Sequence, residues 1–231
     1  MMSSSFDLRN IPESIYKYFE DSSFKTCSLK SSGLESGFFT FSGLVYIKSG
    51  RFSMSMPQNN METIYSFVIE PQRWLGSVSL LGLPSPVVLI NEIEKTELLY
   101  IPTKELIQIA DNNPMVYKWL LNIATDNFPK WFQAHLIAFS TRETRVLYCL
   151  TTLLPLEVSN NNQTEINISQ QKISDICGLS RPRVNEVLKL LEQQEVLLLS
   201  HKKIQITNIN KFFKKLDDAN LSIYDPRTQR I

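Results

Sequence analysis

Hydrophobic and polar residues follow three successive rhythms along the chain. Between about Phe24 and Ile101 the apolar positions come in short β-rich runs: Phe38–Phe41, Leu44–Ile47, Phe52–Met56, Ile64–Ile69, Pro86–Ile90 and Glu97–Ile101. The run Phe52-Ser53-Met54-Ser55-Met56 alternates apolar and polar side chains, the period of a half-buried strand, and Ser49-Gly50 punctuates the chain ahead of it. Six of the seven glycines precede Leu83, so turns concentrate here. Many short strands at this spacing predict an antiparallel barrel or roll.

From Asn113 the period lengthens. Asn113 can cap a helix with Pro114 at its first position, where a missing N–H costs little. Val116, Leu120, Ile123, Asn127, Trp131, Ala134 and Ala138 then recur every three or four residues as one apolar seam, and Pro129 predicts a kink in it. The seam has two readings: a helix lying on the roll, or a parallel helix pair between two copies of the chain, with Asn127 as a polar register position. A second helix is predicted from Ser140, with Ser140 and Glu143 at capping-box spacing ahead of Val146, Leu147, Leu150 and Leu153. The polar run Glu157–Glu165 reads as a loop.

The third rhythm is a pair of short helices. Ser169 caps the first, Ile168 can staple against Ile173, and Ile173, Ile176 and Cys177 face inward. Gly178 supplies the left-handed residue that stops it. Ser180 caps the next helix, in which Pro182 is tolerated in the first turn and Val184, Val187, Leu188 and Leu191 form one stripe. The opposite face centres on Pro182, Glu186 and Lys189, with Arg183 and Asn185 on its flanks and Arg181 at the terminus. Such side chains can contact phosphates and base edges, or simply be solvated. Two short strands around Ser200-His201-Lys202-Lys203 follow, so helix, turn, helix and a basic hairpin spell a winged helix.

Charge sharpens this picture. The whole chain carries +1, but from Ile168 onward eleven Lys and Arg face seven Asp and Glu, a balance of +4, which leaves −3 on the first 167 residues. The basic excess therefore accompanies the winged helix, a hint of a nucleic-acid partner. Cys27, Cys149 and Cys177 are far apart and lack CxxC spacing, which suggests neither a disulfide framework nor a zinc site. No signal pattern and no run near ~20 apolar residues occurs, so a soluble, cytoplasmic protein without a membrane partner is expected.

The segment ISQQKISDICGLSRPRVNEVLKLLEQQEVLLL, residues 168–199, resembles the DNA-binding domain of the cyclic-AMP receptor and fumarate-nitrate regulator (Crp/Fnr) family of bacterial transcription factors. The order of elements upstream is similar too. The resemblance implies an α+β fold: a β-roll of the cyclic-nucleotide-binding type over 1–112, a dimerisation helix over 113–139, a winged helix-turn-helix over 140–216 and a tail over 217–231. It further implies a homodimer on a two-fold-related promoter site of double-stranded DNA, with RNA polymerase as an expected partner. Arg181, Arg183, Asn185 and Glu186 are the candidates for base reading, and Ser169, Ser180, Lys189, Lys202 and Lys203 for backbone contact. Pro182 stands where the family often has Glu, and Glu186 where it often has Arg, so a different target sequence is expected. A module that kept the fold but lost specific DNA recognition is the alternative.

Family members that bind cyclic AMP hold it with a Gly-Glu pair and, some ten residues on, an Arg followed by Ser or Thr. Here Gly76 is kept, Ser77 replaces Glu, and Pro86-Val87 replaces the Arg pair. Without its arginine a buried phosphate lacks its main charge-assisted partner, so no response to cyclic AMP is expected and the effector is left open. Lys130 and Trp131 fall at the family's effector-facing helix positions, which makes Gly76, Ser77, Lys130 and Trp131 the candidate effector pocket. Three scattered cysteines cannot hold an iron–sulfur cluster, and Cys27 or His135 as haem ligands is the weaker reading beside a structural one, so no cofactor is expected. Two histidines and the absence of GxSxG, HExxH or a phosphate loop argue against an enzyme.

Overall fold

Two long strands, β2 (Gly43–Ser55) and β5 (Leu89–Pro102), pair antiparallel from Gly43↔Pro102 to Ser55↔Leu89. The computed structural model describes residues 11–21, 27–29, 43–55, 65–78, 88–155 and 163–230. The runs Leu44–Ile47 and Phe52–Met56, predicted as separate strands, fall at two ends of β2, the second as far as Ser55, joined through register shifts between Ile47 and Phe52. Gly50 makes the bulge. Its φ of 79° is left-handed, and a Cβ there would meet the Lys95 carbonyl oxygen at 2.2 Å. The Ser49-Gly50 signal thus bends a strand instead of ending it, as bulges do. The predicted run Phe38–Phe41 lies outside the described residues.

The rest of the roll is built on this pair. β1 (Cys27–Ser28) joins β5, and β4 (Arg73–Leu75) joins β2, both antiparallel. Three helices supply the apolar cover: α1 (Glu13–Asp21), α2 (Thr103–Asn112) and α3 (Met115–Ala138). Ile15 and Phe19 of α1, Leu106 of α2 and Val116, Trp119, Leu120 and Ile123 of α3 share one core with Leu44, Tyr46, Leu99 and Ile101. Each fully buried side chain of this size stabilises the fold by about 1.5–3 kcal/mol. Neither α1 nor α2 was expected from the sequence.

Asn113 starts α3 as predicted, its Oδ1 accepting from the Met115 N–H at 3.2 Å. The seam is corrected. Val116, Leu120 and Ile123 are spent on the chain's own core, and Asn127 Nδ2 donates to the Trp74 carbonyl at 2.9 Å, so Asn127 is not a register position between copies. α3 also exposes Leu121 (63% exposed), Phe128, Phe132 (60%) and Leu136 on another face, and Phe139 (82%) follows directly after its last residue. Residues 121, 128, 132 and 139 follow a heptad step.

The chain divides into two compact units, residues 1–56 with 69–128, and residues 57–68 with 129–231, and it passes between them within β3 (Phe67–Ile69) and α3. The second unit contains α4 (Arg142–Leu153), β6 (Thr164–Ile166), α5 (Gln170–Cys177), α6 (Arg181–Gln193), β7 (Leu197–Ser200), β8 (Lys203–Ile206) and α7 (Ile209–Lys214). Its sheet runs β6-β8-β7, all antiparallel. The fold is α+β: roll, long helix and winged helix-turn-helix. Thr141, not Ser140, caps α4, because the last turn of α3 holds the Ser140 N–H on Ile137. β6 overlaps the last two residues of the stretch read as a loop; its buried Thr164 and Ile166 give too short an alternation to stand out.

The tail folds back onto the second half of α3. Gln133 is fully buried; its Nε2 donates to the Asn220 carbonyl at 2.7 Å and its Oε1 accepts from the Ile223 and Tyr224 N–H groups at 3.2 Å each. Farther on, Arg230 donates to the Thr152 carbonyl of α4 at 2.9 Å. Replacing Gln133 with Ala strands one backbone acceptor and two donors. Gln133→Ala is expected to lower unfolding free energy by about 2–4 kcal/mol, read as a reduced urea midpoint.

Candidate nucleic-acid interface

The turn between α5 and α6 fixes the geometry of the candidate interface. Ser169 Oγ accepts from the Lys172 N–H at 3.2 Å, and Gly178, at φ 58°, closes α5 with its N–H on the Ser174 carbonyl. Two further donors reach the end of α5 from outside the motif. Arg145 of α4 donates to the carbonyls of Cys177 and, at 3.2 Å, of Gly178. The Ser66 N–H donates to the Ile176 carbonyl at 2.7 Å. Sequence reading missed both residues, since only the fold brings them to the carbonyls they satisfy.

Ser180 sits at the N-cap of α6 but its side chain makes no capping bond. Pro182, at the second helical position, has removed one of the two N–H groups a cap could use. Val184, Val187, Leu188 and Leu191 are buried, while Arg181, Pro182, Arg183, Glu186 and Lys189 are exposed. Asn185 is half-buried, its Oδ1 accepting from Gln170 Nε2 at 3.2 Å. The polar face of α6 therefore presents three cations and one carboxylate around an amide.

β7 and β8 form the wing, closed by His201 and Lys202 with Ser200 opposite Lys203. Lys202 adopts a left-handed φ of 55° and is exposed. Lys203 is engaged with Glu165 of β6 at 2.6 Å, so its charge is shared within the wing sheet. The two wing lysines are not equivalent.

The candidate effector residues are divided between the units. Gly76, at φ 85°, has a structural reason of its own, because a Cβ there would meet the Gly43 carbonyl oxygen at 2.1 Å. Ser77 follows it in a short helical turn, and Pro86 and Val87 lie outside the described residues. In the second unit the buried Lys130 ammonium lies 5.3 Å from the centre of the Tyr224 ring, and Trp131 packs edge-on to Phe67 at 6.0 Å. A cavity of about 430 Å³ in the first unit is lined by Arg73, Trp74, Trp119 and Asp126 and by none of the four candidates. Among the described residues no group of three or more His, Cys, Asp or Glu is gathered for a metal, and no helix is long and apolar enough to cross a membrane.

Residues 144–213 match the Crp-like helix-turn-helix domain. No curated protein matches the sequence. Among solved structures, the c-di-GMP responsive global regulator CLP of Xanthomonas campestris is 19% identical, with a TM-score of 0.65 over 84% of this chain and 98% of its own. A Crp/Fnr-family regulator from Eubacterium rectale is 18% identical, with a TM-score of 0.64 over 92% of this chain and 99% of its own. FixK2 of Bradyrhizobium japonicum is 15% identical, with a TM-score of 0.63 over 82% and 92%. The chain thus has the fold of Crp/Fnr transcription regulators, at a divergent level of identity.

Behind the interface lies a buried titratable cluster. The Tyr65 ring meets Tyr148 edge-on at 6.1 Å, and its hydroxyl is buried without a hydrogen-bond partner. Burial pushes the Tyr65 phenol well above its usual range; a hydrogen bond with Cys177, then burial, does the same to the Cys149 thiol. Both groups are neutral in the folded state, so the stability they contribute is complete below the ordinary thiol and phenol values, about 8.5 and 10, and is lost as pH rises toward the folded values. Tyr65→Phe removes one of the two and also a buried unsatisfied hydroxyl. It is expected to leave thermal stability at pH 7 unchanged or higher, and to reduce its decline above about pH 10, measured by melting across pH.

Proposed function

We propose that the chain is a sequence-specific transcription regulator that binds a two-fold-related promoter site as a homodimer in the cytoplasm, with RNA polymerase as its working partner. The observation that carries this reading is the face of α6, where exposed Arg181, Arg183 and Glu186 surround half-buried Asn185 over a buried stripe. A helix of this form, presented beside a basic wing, suits a major groove. Ser169, Ser180, Lys189, Lys202 and Lys203 would meet the phosphate backbone, with Lys203 contributing less because Glu165 already holds it. The exposed heptad-spaced residues of α3 are the surface on which a second copy would pack.

The candidate effector residues lack the partners with which cyclic-AMP-binding family members hold a cyclic phosphate. Ser77 and Pro86-Val87 remove the acidic and cationic partners, and Lys130 is stacked on the chain's own Tyr224. The regulator is read as unresponsive to cyclic AMP, and the solved Crp/Fnr-type structures it resembles are regulators, not enzymes.

Selection of the purified protein on a random DNA pool at physiological ionic strength tests this. Weak binding that disappears at moderate salt without a preferred sequence would identify instead a module that has kept the fold and lost DNA recognition. Glu186 can accept from a cytosine amino group and cannot donate to guanine; Glu186→Ala should relax one half-site position by about 1–3 kcal/mol of discrimination. Lys202→Ala should weaken binding to all sequences and lower the salt slope by about 1, with a smaller effect for Lys203→Ala. Phe132→Asp, placing a charge on the exposed stripe of α3, should shift the sedimenting species from dimer to monomer and weaken half-site cooperation; an unchanged dimer would rule out that face.

A further inference from the structure

We propose that Gln170 is a positioning residue for base recognition: it holds the Asn185 amide so that only its NH2 is offered outward, and Asn185 therefore takes any base-edge acceptor (guanine O6/N7, thymine O4 or adenine N7), rejects cytosine, and loses the two-point pairing that singles out adenine. The proposal rests on the reading of α6 as the groove helix. Asn185 alone on that face is half-buried, and what covers it is Gln170, whose Nε2 donates to its Oδ1 at 3.2 Å. Gln170 is the first residue of α5, where the helix's unpaired N–H groups favour its amide oxygen turned toward the helix and its NH2 turned toward Asn185. The neighbouring Gln171 is occupied elsewhere, donating to Asp175 at 2.8 Å. An unrestrained asparagine pairs with adenine through carbonyl and NH2 together, both in the plane of the base. With the carbonyl aimed at α5, the NH2 points the other way and that paired geometry is lost. Glu186, an acceptor, then stands next to a donor, so the two adjacent residues ask for opposite chemistry in neighbouring base pairs.

The test is DNA selection from a random pool with the full-length protein and three variants, each checked for an unchanged circular-dichroism melt. Asn185→Ala identifies the half-site column that Asn185 reads, which in the wild type should disfavour cytosine about five-fold or more and show no preference for adenine over guanine. Gln170→Ala should change that same column, raising adenine above the other bases through restored two-point pairing, and leave the column altered by Glu186→Ala as it is. Gln170→Glu is the sharper variant, since its carboxylate only accepts: it should turn the Asn185 NH2 inward and its carbonyl outward, moving the column toward the donors of cytosine and adenine. If both Gln170 variants leave the Asn185 column unchanged, or lower affinity equally on every sequence, Gln170 does not position Asn185 and the proposal is overturned while the groove reading stands. If Asn185→Ala alters no column, the groove reading fails at this residue and takes the proposal with it.

Discussion

A helix that ends inside a protein leaves carbonyls that must find donors, and the end of α5 is such a place. Cys177 and Gly178 give their carbonyls to Arg145, and Ile176 gives its own to the Ser66 N–H. The left-handed Gly178 turns the chain directly afterwards, so the donors that satisfy α5 also fix where α6 begins. α4, the segment before β3 and the helix-turn-helix are therefore held at one point. Charge strengthens it: a guanidinium at a helix C-terminus meets the negative end of the dipole. Tyr65, one residue before Ser66, lies against Tyr148 of α4, so the same segment adds apolar contact to the hydrogen bond.

A second constraint acts from the tail. Polar side chains as buried as Gln133 persist only when each atom is paired, and all the partners of this amide come from residues 220–224. Arg227 continues the pattern, bridging Asp217 and Asp225 and donating to the Phe213 carbonyl of α7 at 3.0 Å. The tail thus ties the second half of α3 to α4 and α7 within one unit. Lys130 follows from this, because its ammonium is desolvated beside Tyr224, where a cation over an aromatic face is worth more than it is in water. A residue matched by position to an effector contact has become part of the chain's own packing.

What was legible in the sequence was whatever local chemistry decides. Ser169, Gly178 and the stripe Val184, Val187, Leu188 and Leu191 depend on neighbours within a turn or two, and they stand where the pattern put them. The errors share a cause. The seam of α3 was a true helical face, but period alone cannot say whether a face meets its own roll or another copy, and the roll took it. Ser140 matched a capping box, yet the preceding helix had already claimed its N–H. Arg145, Gln133 and Gln170 were silent because each finds its partner 15 or more residues away, at distances only the fold closes. The base-reading and backbone assignments themselves rest on exposure and residue type.

The balance of charge on the proposed interface bears on how recognition would be divided. Per chain, Glu186 offsets one of the three cations on α6, and Glu165 offsets Lys203 in the wing, so few unopposed charges are left for phosphates. Counterion release scales with the number of phosphates neutralised, so a single copy would bind non-specific DNA weakly. Two copies joined through α3, as proposed, would double that number and require two half-sites at a fixed spacing, which would place the burden of affinity on symmetry. Base-edge contacts then decide the sequence with little help from charge. On such a surface the orientation of one amide, held by one glutamine, has a larger share in choosing the site than it would on a strongly basic helix.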